Sequence, residues 1–177
     1  YGLPKEQLLM KYLFDPTINI CGIYAGYTEH GGTKTVLPHE AFAKIDIRLV
    51  QDMTVEGTIR KLRAHLRRRG FGDLEIQVHG PYGAARTDPD SWIAHAAVEV
   101  IRAHDKEPEV WPSSGGSMPA FAFDEYLKLP WVATGLGHGS RAHAPNEYAS
   151  IEGMKRFMLG EASLLYASAM RHRERTR

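Results

Sequence analysis

Between residues 41 and 49 the chain alternates. Ala41, Ala43, Ile45, Ile47 and Leu49 fall on one side of an extended backbone, and Phe42, Lys44, Asp46 and Arg48 on the other. A period of two marks a strand, so "TVLPHEAFAKIDIRLV" (35–50) is predicted to contain one long strand. "TINICGIYAGY" (17–27) alternates in a similar way and reads as a second strand, with "EHGGTK" (29–34) as the turn between them. Paired glycines there supply the positive φ that tight turns use. The period then changes. Val55, Ile59, Leu62 and Leu66 recur at helical spacing behind a cap at Asp52 or Thr54, and Gly70 stands where such a helix stops. A short helix at 4–13 comes before the strands, and "LEIQVHG" (74–80) reads as a closing strand. The order α-β-β-α-β is a ferredoxin-like β-α-β-β-α-β unit without its first strand.

The second half has a different rhythm. "DPDSWIAHAAVEVIRAH" (88–104) is predicted as a helix with Asp88 as cap and Pro89 in the first turn, its apolar stripe running through Ile93, Ala97, Val100 and Ile101. "PEVWP" (108–112) reads as a short strand, and "SSGGSMPAFAFDEYL" (113–127) as a glycine turn entering a helix. "PWVATGLG" (130–137) has the unbroken apolar character of a buried parallel strand. A Gly- and His-containing loop and a last helix from Ser150 to about Arg171 complete the chain. Alternation of helix and strand indicates part of a three-layer α/β domain. The expected fold class is therefore α/β (α+β), with a boundary in the Gly/Pro-rich stretch "HGPYGAARTDPD" (79–90): one domain over 1–80, another over 81–177.

Composition removes several function classes. Twenty-two basic side chains against 21 acidic ones leave a net charge of +1, so no polyanionic partner is indicated. The basic run "RKLRAHLRRRG" (60–70) lies on a helical pattern and reads as a solvated face rather than a nucleic-acid surface. No apolar run reaches the roughly 20 residues of a membrane span. The single cysteine, Cys21, excludes an internal disulfide and fits a reducing, cytoplasmic setting. The chain opens without Met and within a helical pattern, so a fragment or processed product is expected.

Three places carry candidate chemistry. In "GLGHGSRAHAPNE" (135–147), His138 and His143 lie five residues apart, after an apolar segment and before a helix. That is where open α/β sheets place their ligands. His143, followed by Ala144-Pro145-Asn146-Glu147, reads as a metal ligand, an acid/base group or a loop histidine bonded to its own backbone; His138, between glycines, reads as a plain loop residue. Zinc needs three or four close ligands, yet the chain holds no HExxH, CxxC or HxD pattern. "SSGGSMP" (113–119) offers backbone N–H groups and the Ser117 hydroxyl as an anion cradle, or is a simple turn. Without a P-loop Lys it suits a carboxylate better than a nucleotide. Arg48, on the polar face of its strand, is either a carboxylate clamp or a surface ion-pair partner.

Taken in order, "PTINICGIYAGYTEHGGTKTVLPHEAFAKIDIRLV" (16–50), "SSGGSMP" and "AHAPNE" (142–147) resemble the C-terminal part of the M20 metallopeptidases, and the resemblance covers nearly the whole chain. That family includes cytosolic dipeptidases, carnosine dipeptidases, carboxypeptidases, aminoacylases and desuccinylases. Thr35 in "KTVLP", Arg48 thirteen residues on, and "GGSMP" downstream are most similar to the dipeptidase branch. The resemblance implies that 1–80 is most of a ferredoxin-like lid, or dimerisation, domain and that 81–177 is the end of the zinc-peptidase domain. It implies that His143 binds the second of two zinc ions, and that Gly116 and Ser117 bind the substrate's C-terminal carboxylate. It further implies that Thr35 and Arg48 reach into the partner's site. The family's His-x-Asp motif, bridging Asp and catalytic Glu-Glu pair have no counterpart in this chain, so no catalytic residue is assigned and the chain alone is expected to be inactive.

The resemblance thus implies a dizinc hydrolase of dipeptides or similar amides with a free carboxylate, forming a homodimer through the lid-sheet edge. An N-acyl amino acid amidohydrolase on the same scaffold is the first alternative. A non-catalytic dimerisation or binding module is the second.

Overall fold

The computed structural model describes residues 2–104, 107–114 and 116–175. They form two compact units, one of residues 1–84 with 113–118, the other of 85–112 with 119–177.

In the first unit, helix α1 (Lys5–Phe14) starts after Pro4 and stops at Asp15, whose carboxylate pairs with Lys11 one turn back at 2.9 Å. Leu13 is its buried residue. Strands β1 (Thr17–Ala25) and β2 (Ala41–Arg48) then form an antiparallel ladder running from Thr17↔Arg48 to Ala25↔Ala41. The register shifts between Ile20 and Gly22, leaving Cys21 as the extra residue of a β-bulge. Directly opposed Tyr24 and Phe42 stack with centroids 5.2 Å apart, which fixes the register near the loop end. Gly31 and Gly32 both take positive φ, as the turn between the strands predicts.

A turn closed by the Met53 N–H on the Val50 carbonyl carries Asp52 at φ 66°. Helix α2 (Val55–Arg68) follows, with Thr54 rather than Asp52 as cap: the Gly57 N–H donates to Thr54 Oγ1 at 3.1 Å. Its end is a Schellman motif, with the Phe71 N–H on the Leu66 carbonyl and the Gly70 N–H on that of Arg67. Gly70 sits at φ 87°.

The expected strand at 74–80 does not form. In a ferredoxin-like unit the closing strand hydrogen-bonds to the opening one, and the described residues contain no opening strand. An extended segment without a ladder partner is not a strand.

In the second unit, helix α3 (Trp92–Ala103) starts later than its sequence pattern suggests. Ser91 is the N-cap, and Asp88 instead makes an Asx turn by accepting the Asp90 N–H at 2.9 Å. Ala96, Ala97 and Val100 are buried where α3 meets α4 (Ile151–Arg175), which runs past the expected end near Arg171. His104 Nε2 lies 3.2 Å from Ser163 Oγ, and Arg171 pairs with Glu99, tying the two helices at two levels.

Neither 108–112 nor 130–137 forms the predicted strand. A parallel strand exists only through its neighbours, and none is present among the described residues. Segment 135–139 lies instead along α4. A Cβ on Gly160 would meet Leu136 at 3.1 Å, and one on Gly153 would meet the His138 N at 2.5 Å, so both glycines are needed for that approach.

Ile18, Ile20, Ile23, Phe157, Met158 and Leu165 are among the apolar side chains left more than 40% accessible. Such faces are those of elements built to be covered.

Candidate functional site

Arg48 is the last residue of β2, opposite Thr17. Its Nη1 donates to the Ser117 hydroxyl at 3.0 Å, across 69 residues of sequence, and both groups belong to the first unit. Its Nε lies 3.5 Å from Asp46 Oδ2, two residues earlier on the same face of the strand. The two side chains are 44% and 51% exposed, so the guanidinium is tethered yet reachable from solvent. In the same loop the Gly116 N–H donates to Ser114 Oγ at 3.3 Å, and Gly115 lies outside the described residues.

This arrangement suits an anion with two oxygens. A guanidinium presents parallel N–H donors that match a carboxylate, and a hydroxyl within hydrogen-bond reach of it adds a third donor. One expected contributor is not there. The glycine loop leads to a single π-type turn, Ala122–Leu127, and not to an α-helix. Six residues supply no developed helix dipole, so the positive charge facing an anion comes from Arg48. Thr35 lies on the exposed loop between β1 and β2, away from any regular element.

The second unit holds the other predicted residue. Short strands β3 (Gly139–Ser140) and β4 (Tyr148–Ala149) pair and pinch off a loop over 141–147. Arg141, His143 and Asn146 all take φ near +60° there. Three non-glycine residues in the left-handed region mark a loop whose shape is imposed by its surroundings. The His143 N–H donates to Glu147 Oε2 at 3.3 Å, the Ala144 N–H to the Arg141 carbonyl at 2.9 Å. The loop is anchored at its base, where the Ser150 N–H bonds the His138 carbonyl at 3.0 Å and Ser150 Oγ caps α4 through Gly153. Glu147 thus holds the backbone of His143, whose exposed imidazole can meet a ligand. His138 packs edge-on against Tyr148 at 6.2 Å, a structural role.

These residues do not build a metal centre on their own. No group of three or more His, Cys, Asp or Glu comes together among the described residues. His143 offers one imidazole where zinc requires three or four ligands. A two-zinc site would therefore need ligands from beyond the described residues, and His143 can be at most one member of it.

Two participants escaped the sequence reading. Asp46 was visible only as a polar-face residue, although its i, i+2 spacing from Arg48 was the signal. Gly153 gave no signal, because its role arises from a loop that crosses the helix.

Known proteins share this organisation. Residues 3–74 match the family profile of the peptidase dimerisation domain. Beta-Ala-His dipeptidase of Homo sapiens is 28% identical over 167 residues, a match covering 86% of this chain and 32% of that protein. Cys-Gly metallodipeptidase dug1 of Schizosaccharomyces pombe is 26% identical over 163 residues, covering 86% and 33%. The crystal structure of an M20 family metallo-carboxypeptidase from Sulfolobus solfataricus matches with a TM-score of 0.78 at 33% identity, over 93% of this chain and 39% of that one. What the chain resembles is the M20 peptidase family. Its similarity runs through both units, and the chain spans about a third of the length of the curated relatives it matches. No helix among the described residues is long and apolar enough to cross a membrane.

Proposed function

We propose that this chain supplies substrate-carboxylate recognition and one metal ligand to an M20 dipeptidase. The observation that carries the reading is the Arg48–Ser117 hydrogen bond. Ser117, implied by the resemblance to bind the carboxylate, and Arg48, read from its residues as a carboxylate clamp or a surface ion-pair partner, lie within bonding distance of each other in one unit. The cradle is accordingly built in cis, with Arg48 serving the Ser117 loop of its own chain rather than crossing to a partner's. Gly116 belongs to the same loop, where its N–H is held by Ser114 Oγ, and Thr35, on an exposed loop, is the residue left to act across a dimer.

His143 takes the part of one ligand to the second of two zinc ions, whose other ligands lie outside the described residues. When bound, the zinc pair supplies polarisation of the scissile carbonyl and an activated water. What this chain contributes is positioning. Holding a substrate by its terminal carboxylate fixes the distance from that end to the scissile bond, and a fixed reacting distance lowers the entropic part of the barrier.

Self-association belongs to the same reading. β1 and β2 pair only with each other among the described residues, so each offers an open edge, and open edges are normally covered. We propose a homodimer joined along the lid sheet. A cytoplasmic setting agrees with the single free cysteine.

The test is turnover by the protein as its cell makes it, loaded with zinc, on Cys-Gly, β-Ala-His and an N-acetylated amino acid. Cleavage of a dipeptide supports the reading. Preference for the N-acetylated compound replaces it with an amidohydrolase, and absence of both zinc and turnover with a non-catalytic module.

A further inference from the structure

We propose that Asp46 is a positioning residue for carboxylate recognition, acting through Arg48. The inference rests on the reading of Arg48 and Ser117 as the carboxylate cradle and adds a residue that the motifs do not single out.

The geometry is that of a divided guanidinium. Asp46 Oδ2 stands 3.5 Å from Arg48 Nε, while Ser117 Oγ accepts from Nη1 at 3.0 Å. A guanidinium can receive a carboxylate along either of two edges, through Nε with one Nη or through both Nη atoms. Asp46 stands at the approach to the Nε edge. A ligand that also reaches Ser117 is thereby directed to the pair of Nη atoms.

The strand makes this arrangement stiff. Asp46 and Arg48 are i and i+2 on β2, so both side chains leave the same face. Both positions are held in the ladder, opposite Asn19 and Thr17. An exposed ion pair of this kind contributes little to folding stability. Its effect is on orientation: an arginine side chain has several rotatable bonds, and fixing its plane in advance removes that cost from substrate binding.

Competition is the opposing effect, since Asp46 is itself a carboxylate beside the same cation. The 3.5 Å separation decides against it. Charge-assisted hydrogen bonds that truly consume a donor are shorter, about 2.7–2.9 Å. At that distance Asp46 steers the guanidinium by charge and does not consume the Nε donor.

The experiment compares Asp46→Ala and Asp46→Asn with wild type in the complete zinc-loaded protein, on Cys-Gly or β-Ala-His and on the C-terminal amide of the same dipeptide. Asp46→Ala is expected to raise KM for the free dipeptide about fivefold to tenfold, from lost preorganisation, with kcat and the amide's KM unchanged. Asp46→Asn, which keeps the side chain's shape but not its charge, is expected to show most of the same loss. An unchanged or lowered KM in Asp46→Ala overturns the proposal, as does an equal change on the amide. Arg48→Ala is measured alongside. If the loss in Arg48→Ala is equal on dipeptide and amide, the cradle reading falls; if that loss is confined to the dipeptide while Asp46→Ala shows no such selectivity, only the positioning role falls.

Discussion

Arg48 and Ser117 are 69 residues apart in the chain and 3.0 Å apart in space. One ends a strand and the other lies in a glycine loop that joins the first unit although the segments on both sides of it belong to the second. A segment folded back in this way onto a strand end is costly in chain entropy, and the contact it makes is a polar one. This pairing is what the proposed carboxylate cradle rests on.

Ser117→Ala removes the hydroxyl but leaves the guanidinium. A hydrogen bond to a charged group contributes roughly 1.5–3 kcal/mol, and a partly exposed one less. KM for a free dipeptide should rise about threefold to tenfold, on the 1.4 kcal/mol-per-decade scale, with little change in kcat. Steady-state kinetics on the zinc-loaded protein checks this.

His143→Ala should lower the zinc bound per subunit by about one, since a site with one of its three or four ligands gone binds far more weakly. Metal analysis after extensive dialysis reads the effect directly. Two zinc ions retained at full occupancy would show that His143 is a loop residue held by Glu147 and nothing more.

Gly153→Ala tests how the His143 loop is anchored. The added methyl would stand 2.5 Å from the His138 N and 2.9 Å from its carbonyl oxygen, both backbone atoms that cannot swing aside. Overpacking of this kind costs about 1–3 kcal/mol. A fall in Tm accompanied by loss of zinc is the expected pair of results, and a fall in Tm alone would separate the anchor from the site.

A pH effect is expected at the end of α3. Arg102 makes a bidentate bond to Glu107, and that hydrogen bond holds the Glu107 carboxyl below its ordinary range. The folded value lies below the unfolded one, so the pair's contribution is present above the unfolded carboxyl pKa of about 4.3. It is lost as pH falls through the folded value. In Arg102→Ala, an NMR titration of Glu107 should return to the ordinary range, while the other carboxyls keep their midpoints.

Much of the first unit was legible in the sequence because its signals are local. Alternation gave β1 and β2, and the Thr54 cap and Gly70 stop gave α2; each depends on residues within a few positions. The segments 74–80, 108–112 and 130–137 misled for the opposite reason. Their composition suits strands, but a strand is a pairing, and the chains they would pair with are not among the described residues. Asp88 misled because an aspartate before Pro89 serves an Asx turn as readily as a helix cap. At the candidate site, motif similarity singled out Arg48, Ser117 and His143 one at a time. It did not foretell that Arg48 and Ser117 bond within one chain, nor that Asp46 stands beside them, because both depend on how a distant loop folds back.

The role of Arg48 as the carboxylate clamp is decided by the ratio of kcat/KM for a free dipeptide to that for its C-terminal amide, in wild type and in Arg48→Ala. The expected ratio is well above one in wild type. It should fall about tenfold to a hundredfold in the variant, the effect of losing a charge-assisted carboxylate contact of roughly 1.5–3 kcal/mol, while turnover of the amide is preserved. An equal loss on both substrates, or an unchanged ratio, would contradict that role and leave Arg48 as a strand-end residue that merely braces the Ser117 loop.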